Sequence, residues 1–295
     1  MNQQIRSFSD VQLFVKREDL LHETISGNKF RKLKYNLEQA KLQGKKTLLT
    51  FGGAFSNHIA AVASAGNEFG FETVGIIRGD ELESKISENP TLASAQAQGM
   101  KFEFINREIY RSKDEPAFLE SLKSRFGDIY ILPEGGTNAL AVKGCEEILT
   151  GEDLEFDYIC CAVGTGGTLA GLINASDERQ RIIGFSSLKG VSEFDPIVEF
   201  ANKDNWEITS DYHFGGYGKV NSELIDFINR FATENKMQLD PVYTGKMLFG
   251  IEDLIAKGRF ESGSRILAIH TGGLQGIPGM NKRLKNKNLH IIEHG

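Results

Sequence analysis

Cysteine is scarce in this chain. Cys145, Cys160 and Cys161 are the only three, and their positions show no metal-site spacing. The adjacent pair lies in the apolar run YICCAV and reads as strand residues rather than a redox pair. The six histidines contain no HExxH pattern, so no zinc site of that kind is expected and metal is assigned to none. No apolar run approaches the roughly 18 residues of a membrane span. The start, MNQQIRSFSD, lacks the apolar core of a secretory signal. Positive charge is not in excess. The formal net charge is −6, which argues against a nucleic-acid binder working through bulk charge. No repeat, low-complexity tract or Pro/Ser-rich linker is present. These absences suggest a cytoplasmic protein whose partner is a small molecule, with no membrane and no nucleic acid.

What is present is strand–helix alternation. Short apolar, β-branched runs at 46–51, 72–77, 102–105, 129–132, 158–163, 181–185 and 265–270 read as strands. Segments 57–69, 89–99, 115–126 and 169–174 read as helices. Alternation at this spacing predicts an α/β protein of parallel sheets with crossover helices. Two lobes are expected, each a mainly parallel twisted sheet flanked by helices. Residues 1–43 plus 145–295 would make the larger and 44–144 the smaller. Many of the 32 glycines follow strands, where ligands bind in open α/β sheets.

The stretch ISGNKF poses a problem of charge. Apolar residues at Phe30, Leu33, Leu37 and Ala40 mark a helix, with Asn28 as its expected cap. A helix start carries about half a positive charge and favours Asp or Glu, yet Lys29, Arg31 and Lys32 sit there. Either all three reach into water at small cost, or an anion sits there and one lysine is meant to lose its proton. A positive neighbourhood lowers a lysine pKa, and a neutral amine is a nucleophile.

The clearest ligand signal is YICCAVGTGGTLAGLI. A buried-type strand runs into Gly164-Thr165-Gly166-Gly167-Thr168 and then an apolar helix, an arrangement suited to phosphate. A Rossmann fingerprint needs glycine where Leu169 stands, and no P-loop spacing occurs. A single phosphate on a small cofactor fits better than a dinucleotide or ATP, although a plain turn remains the alternative. Two further turns follow the same plan. One is LLTFGGAFSNHIAA, with Ser56 as a helix cap before Asn57. The other is ILAIHTGGLQG, with Thr271 at a strand end.

Taken in order, SGNKFRKL, FGGAFSNH, GTGGTLAG, GGYG, LDPVYTGK and HTGG resemble the pyridoxal-phosphate (PLP) enzymes of the tryptophan-synthase-β-like fold, fold type II. The narrower resemblance is to the branch of D-cysteine desulfhydrase and 1-aminocyclopropane-1-carboxylate (ACC) deaminase, and it runs from VKREDLL at Val15 to HTGG at His270. The resemblance implies PLP in the cleft between the lobes, bound by Lys29 as a Schiff base. It implies that Asn57 bonds the ring oxygen, that Gly164, Thr165, Gly166, Gly167 and Thr168 hold the phosphate, and that Thr271 faces the ring nitrogen. Catalytic roles would fall to Lys29, Ser56, Tyr217 and Tyr243, and substrate contacts to Ser56, Asn57, His58, Tyr217, Tyr243 and Thr244. Thr244 and Thr271 look like the desulfhydrase side of the branch. The expected function is a lyase releasing ammonia from a small amino acid, most specifically β-elimination of D-cysteine to pyruvate, ammonia and sulfide. ACC deamination and a PLP-binding protein without turnover are the alternatives. A homodimer is expected from the same resemblance.

Overall fold

The computed structural model describes residues 1–8, 10–190 and 195–293. Ten strands occur among them: β1 (Asn2–Phe8), β2 (Val11–Lys16), β3 (Thr47–Gly52), β4 (Glu72–Arg78), β5 (Lys101–Ile105), β6 (Ile129–Leu132), β7 (Tyr158–Val163), β8 (Arg181–Ser186), β9 (Trp206–Thr209) and β10 (Arg265–Ile269). They form two sheets. The smaller runs β5-β4-β3-β6 and is parallel throughout. The larger runs β1-β2-β10-β7-β8-β9, and only its β1–β2 pair is antiparallel.

Apolar runs made these strands because helices cover both sheet faces. In the smaller sheet Leu48 and Ile77 pack with Leu33, Leu37, Ile59 and Val62 of the helices Asn28–Leu42 and Asn57–Phe69. The opposite face buries Leu49, Phe51, Val74 and Ile76 against Tyr110 and Leu122. In the larger sheet Cys160 and Ala162 point into one core while Cys161 and Val163 point into the other. Adjacent residues of a strand face opposite ways, so Cys160 and Cys161 are packing residues. Burial raises the pKa of both thiols, which keeps them protonated.

All seven expected strands are present within one residue of their predicted bounds. Three more were not anticipated. β1 and β9 are sheet edges, and β1 (NQQIRSF) carries few apolar residues. β2 alternates buried and open positions. Helices Ser222–Asn235, Thr244–Ala256 and Ile277–Lys285 were likewise not anticipated; they cover the larger sheet through residues such as Leu224, Leu248 and Ile277. No helix among the described residues is long and apolar enough to cross a membrane.

Helix Asn57–Phe69 begins as expected: the Ser56 hydroxyl oxygen accepts from His58 N (3.2 Å) and Ile59 N (3.3 Å). Helix Asn28–Leu42 does not. Its cap is Gly27, with φ 59°, and Asn28 is already helical. The Asn28 amide instead donates to Thr168 Oγ1 at 2.7 Å, joining this helix to the glycine loop. Gly27 is required by close approach: a Cβ there would lie 2.1 Å from the Thr271 carbonyl oxygen.

Candidate active site

A cavity of about 460 Å3 lies between the sheets, beyond the carboxyl ends of β3, β7 and β10. That is the expected position and size for a small-ligand site. Lys29, Ser56, Asn57, His58, Gly164, Thr165, Gly166, Thr168, Tyr217, Tyr243 and Thr271 all line it. Six separated segments of the chain therefore converge on one space.

The three cations of the first helix have three separate destinations. Arg31 turns away and is clamped by Glu18, with Nε to Oε2 at 2.9 Å and Nη2 to Oε1 at 3.1 Å. Lys32 turns inward and is almost wholly buried. Its ammonium donates to Gly135 O (3.0 Å) and Thr137 Oγ1 (2.9 Å), with Thr165 Oγ1 at 3.5 Å. Lys29 opens on the cavity, and its amine donates to the same Gly135 carbonyl at 3.2 Å. Burial drives the Lys29 pKa well below its ordinary value, and the neighbouring Lys32 charge pushes it the same way. Burial lowers Lys32 as well. Neither amine has a carboxylate partner among the described residues. The helix start is thus short of negative charge, and it presents a neutral-leaning amine to the cavity.

His58 adds to that imbalance. Both of its ring nitrogens are buried without a hydrogen-bond partner among the described residues. Burial first, then the Lys29 and Lys32 charges, hold its pKa well below the usual histidine value, so the ring is neutral. Asn57 Nδ2 packs against Gly273 in the turn that follows Thr271. The Ser56 oxygen is occupied by the two helix N–H groups, which leaves its own O–H free to donate.

The opposite wall is aromatic. The Tyr217 and Tyr243 rings meet edge to face with centroids 6.1 Å apart. Burial keeps the Tyr243 hydroxyl protonated far above neutral pH, with Tyr217 and Asp240 acting in the same sense. Tyr217 shows 44% of its surface, but burial of the hydroxyl end raises its pKa too. Both tyrosines are held from behind. Asp240 Oδ2 accepts from Val242 N (2.9 Å) and Tyr243 N (3.0 Å). Lys246, whose pKa burial lowers to about 8, donates to His213 O and Gly216 O, both at 2.9 Å, and so pins the loop that carries Tyr217.

Two expected site residues lie behind the cavity wall. Gly167 begins the helix Gly167–Ala175 and packs against Thr137. Thr244 is fully buried, donating its N–H and hydroxyl to Asp240 Oδ1 at 2.7 and 2.8 Å. It fixes the Asp240–Tyr243 turn and does not border the cavity. Conversely, Lys32, Arg78 and Glu134 line the cavity and had no assigned role. Lys32 was legible: it lies three residues after Lys29, on the same helix face. One histidine spacing, His290 to His294, also went unread. His290 pairs with Asp226 at 3.0 Å, and His294 lies outside the described residues.

Comparison with known proteins decides what such a cavity belongs to. A family model described as pyridoxal-phosphate dependent enzyme matches residues 3–272. The chain belongs to this family. A Pyrococcus horikoshii protein provisionally named ACC deaminase is 32% identical, over 90% of this chain and 85% of its own. A mitochondrial Arabidopsis thaliana protein, named as a bifunctional D-cysteine desulfhydrase/ACC deaminase, is 32% identical over 90% of this chain and 73% of its own. A crystal structure described as an ACC deaminase homologue superposes with a TM-score of 0.82 at 30% identity, covering 97% of this chain and 93% of the other. The protein is therefore a PLP-dependent enzyme of the lyase and deaminase branch, with its two-lobed fold.

The cavity's own chemistry fits that cofactor. PLP brings a phosphate to a site with two buried lysines that lack carboxylates, and an aldehyde to an amine inclined to be neutral. Its ring and substituents bring hydrogen-bond partners to a region where His58 and the Ser56 hydroxyl have spare capacity. The glycine loop sets a geometric condition. Gly166 has φ 87°, and a Cβ there would lie 2.7 Å from Ile197 Cγ1. Left-handed backbone costs a non-glycine residue about 1–2 kcal/mol. The loop of Gly166→Ala should shift to escape that cost and the Ile197 contact, and PLP binding should weaken by about tenfold, with a smaller change in turnover by the loaded fraction. Titration of the apoprotein checks this, and unchanged affinity would mean the loop is only a turn.

Proposed function

We propose that the protein catalyses β-elimination from a small amino acid, with D-cysteine converted to pyruvate, ammonia and sulfide. The observation that carries this reading is the convergence of the Lys29 amine, the Lys32–glycine-loop cradle and the Ser56–Asn57 helix start on one cavity. Lys29 would be the covalent anchor for the cofactor. Lys32, Gly164–Gly166 and the Thr165 and Thr168 hydroxyls would hold its phosphate, with Asn57 available to its ring oxygen and Thr271 to its ring nitrogen. Bound PLP supplies the aldehyde that takes the substrate amine and a ring that accepts the electron pair left at Cα.

The chain's own residues divide the remaining work. The substrate carboxylate sits at the start of helix Asn57–Phe69, where the positive helix end and the Ser56 O–H favour an anion. Ser56 is a poor base, because its oxygen already accepts two N–H groups. Lys29 Nζ, once free of the cofactor, would take the α-proton, since burial and the Lys32 charge favour its neutral form. The Cβ–S bond then breaks with its electron pair going to sulfur, and the protonated Tyr243 hydroxyl, next to Tyr217, donates toward the departing group. Released aminoacrylate reacts with water to give pyruvate and ammonia.

The named relatives keep ACC ring opening as a second reading. ACC has no α-hydrogen, so its ring must be broken with strong help from cofactor and base. Thr271 is a neutral hydroxyl where a carboxylate would draw more electron density into the ring, and this favours elimination. Thr244, held behind the wall by Asp240, no longer bears on the choice. Keto-acid release from D-cysteine, 3-chloro-D-alanine and ACC tests the assignment. Pyruvate from the first two with little 2-oxobutanoate from ACC is expected. ACC consumed faster than either D-amino acid would replace this reading with the other.

A further inference from the structure

A second, half-open pocket of about 430 Å3 adjoins the cavity, and the two share Gly53, Ala54, Phe55 and Arg78. Leu82, Arg107, Tyr110 and Arg111 complete its lining, so three arginines with exposed side chains border one small space. They are not equally occupied. Arg107 is paired with Glu81. Arg78 lies over the Tyr110 ring at 5.7 Å, and its Nη2 is 3.7 Å from where a Gly53 Cβ would stand. Neither Arg78 nor Arg111 has a carboxylate partner among the described residues. Among the described residues the one carboxylate bordering the inner cavity, Glu134, is already engaged by the Tyr110 hydroxyl (2.9 Å) and by Lys113 (3.5 Å). Arg78 stands close enough to both Tyr110 and Tyr217 for its charge to oppose the effect of burial on their hydroxyls. Arg78 borders both pockets.

We propose that the second pocket holds a negatively charged far end of the substrate, so that the protein prefers small amino acids whose side chain ends in a second anionic group. This rests on the reading above, in which Ser56 and the start of helix Asn57–Phe69 hold the α-carboxylate. A substrate so held has Gly53–Phe55 as the wall along which its side chain extends. That wall leads to Arg78 and Arg111. Guanidinium groups suit carboxylates and sulfonates because several N–H donors meet two oxygens at once. In the elimination step the proton leaves Cα, the Cβ–S bond breaks with its pair on sulfur, and the departing thiolate carries its own carboxylate toward the arginines.

The test compares two compounds of nearly the same shape that carry no β leaving group, D-glutamate and D-glutamine, by calorimetric binding to the holoenzyme at low salt. The acid should bind at least about tenfold more tightly than the amide, as a charge-assisted contact implies. The preference should fall as salt is raised, and in Arg78→Gln/Arg111→Gln it should shrink toward one while the cofactor's absorption is retained. Equal affinity for acid and amide in the wild-type protein would overturn the proposal. Pyruvate release from D-cysteine is measured alongside. A charge preference without D-cysteine turnover would sustain the anionic subsite and defeat the D-cysteine assignment. Turnover without the preference would do the reverse.

Discussion

The Lys29→Ala protein should fold, bind PLP without a covalent bond, and release no keto acid. The loss should be complete within detection, because one amine serves as cofactor anchor and as proton acceptor. Stability should not suffer. The Lys29 amine is desolvated and faces Lys32, so folding lowers its pKa. A lysine with a depressed folded-state pKa binds more protons in the unfolded chain. Its penalty is therefore full below the folded pKa and fades as pH rises toward about 10.4. Removing it should leave the apoprotein's neutral-pH melting temperature unchanged or slightly raised. Substantial keto-acid release by this variant would remove Lys29 from the mechanism, whereas collapse of the fold would reveal a structural role.

Lys32→Met should move two measurements in opposite directions. PLP affinity should fall on the order of 100-fold, since truncating one partner of a buried charge pair costs about 2–5 kcal/mol. The apoprotein should melt at a higher temperature, because a buried cation without a carboxylate partner is replaced by an apolar chain of similar length. The apoprotein's gain should be largest near neutral pH and vanish toward about pH 10.4, where the unfolded lysine also loses its proton. A site that trades stability for function gives this divided response. Melting curves of apoprotein and PLP titrations of both proteins provide the check. A fall in both quantities would mean that Lys32 simply supports the fold through Gly135 and Thr137.

Much of the scaffold was legible because its signal is local. The strands around 47–52, 158–163 and 265–269 are buried on both faces and read as short, mostly apolar runs. Ser56 announced its helix because capping is a contact between near neighbours. β1 and β9 were illegible for the opposite reason: an edge strand of mixed polarity is specified by its partner. The helix Ser222–Asn235 could have been read, since Leu224, Ile225, Phe227, Ile228 and Phe231 trace one buried face.

The site divides along the same line. Most of the residues assigned to the site from motifs do border the cavity, apart from Gly167 and Thr244, while Lys32, Arg78 and Glu134 border it without having been assigned. The exclusion of Gly167 and Thr244 depends on Thr137 and Asp240, contacts that sequence spacing does not reveal. The puzzle of three cations at a helix start needed the tertiary structure as well. Arg31 is answered by Glu18, thirteen residues away, while Lys29 and Lys32 meet at Gly135, more than a hundred residues away. Asn28 looked like a cap and proved to be a tie to Thr168, because Gly27 alone fits against the Thr271 carbonyl.

Borohydride reduction of the PLP-loaded protein, followed by peptide mass mapping, asks the central question directly. The hydride fixes whichever lysine is bonded to the cofactor. A single phosphopyridoxyl group is expected, on the peptide containing Lys29, and none on Lys32. A label on Lys32 or on another lysine, or a loaded protein that takes no label, would contradict Lys29 as the anchor.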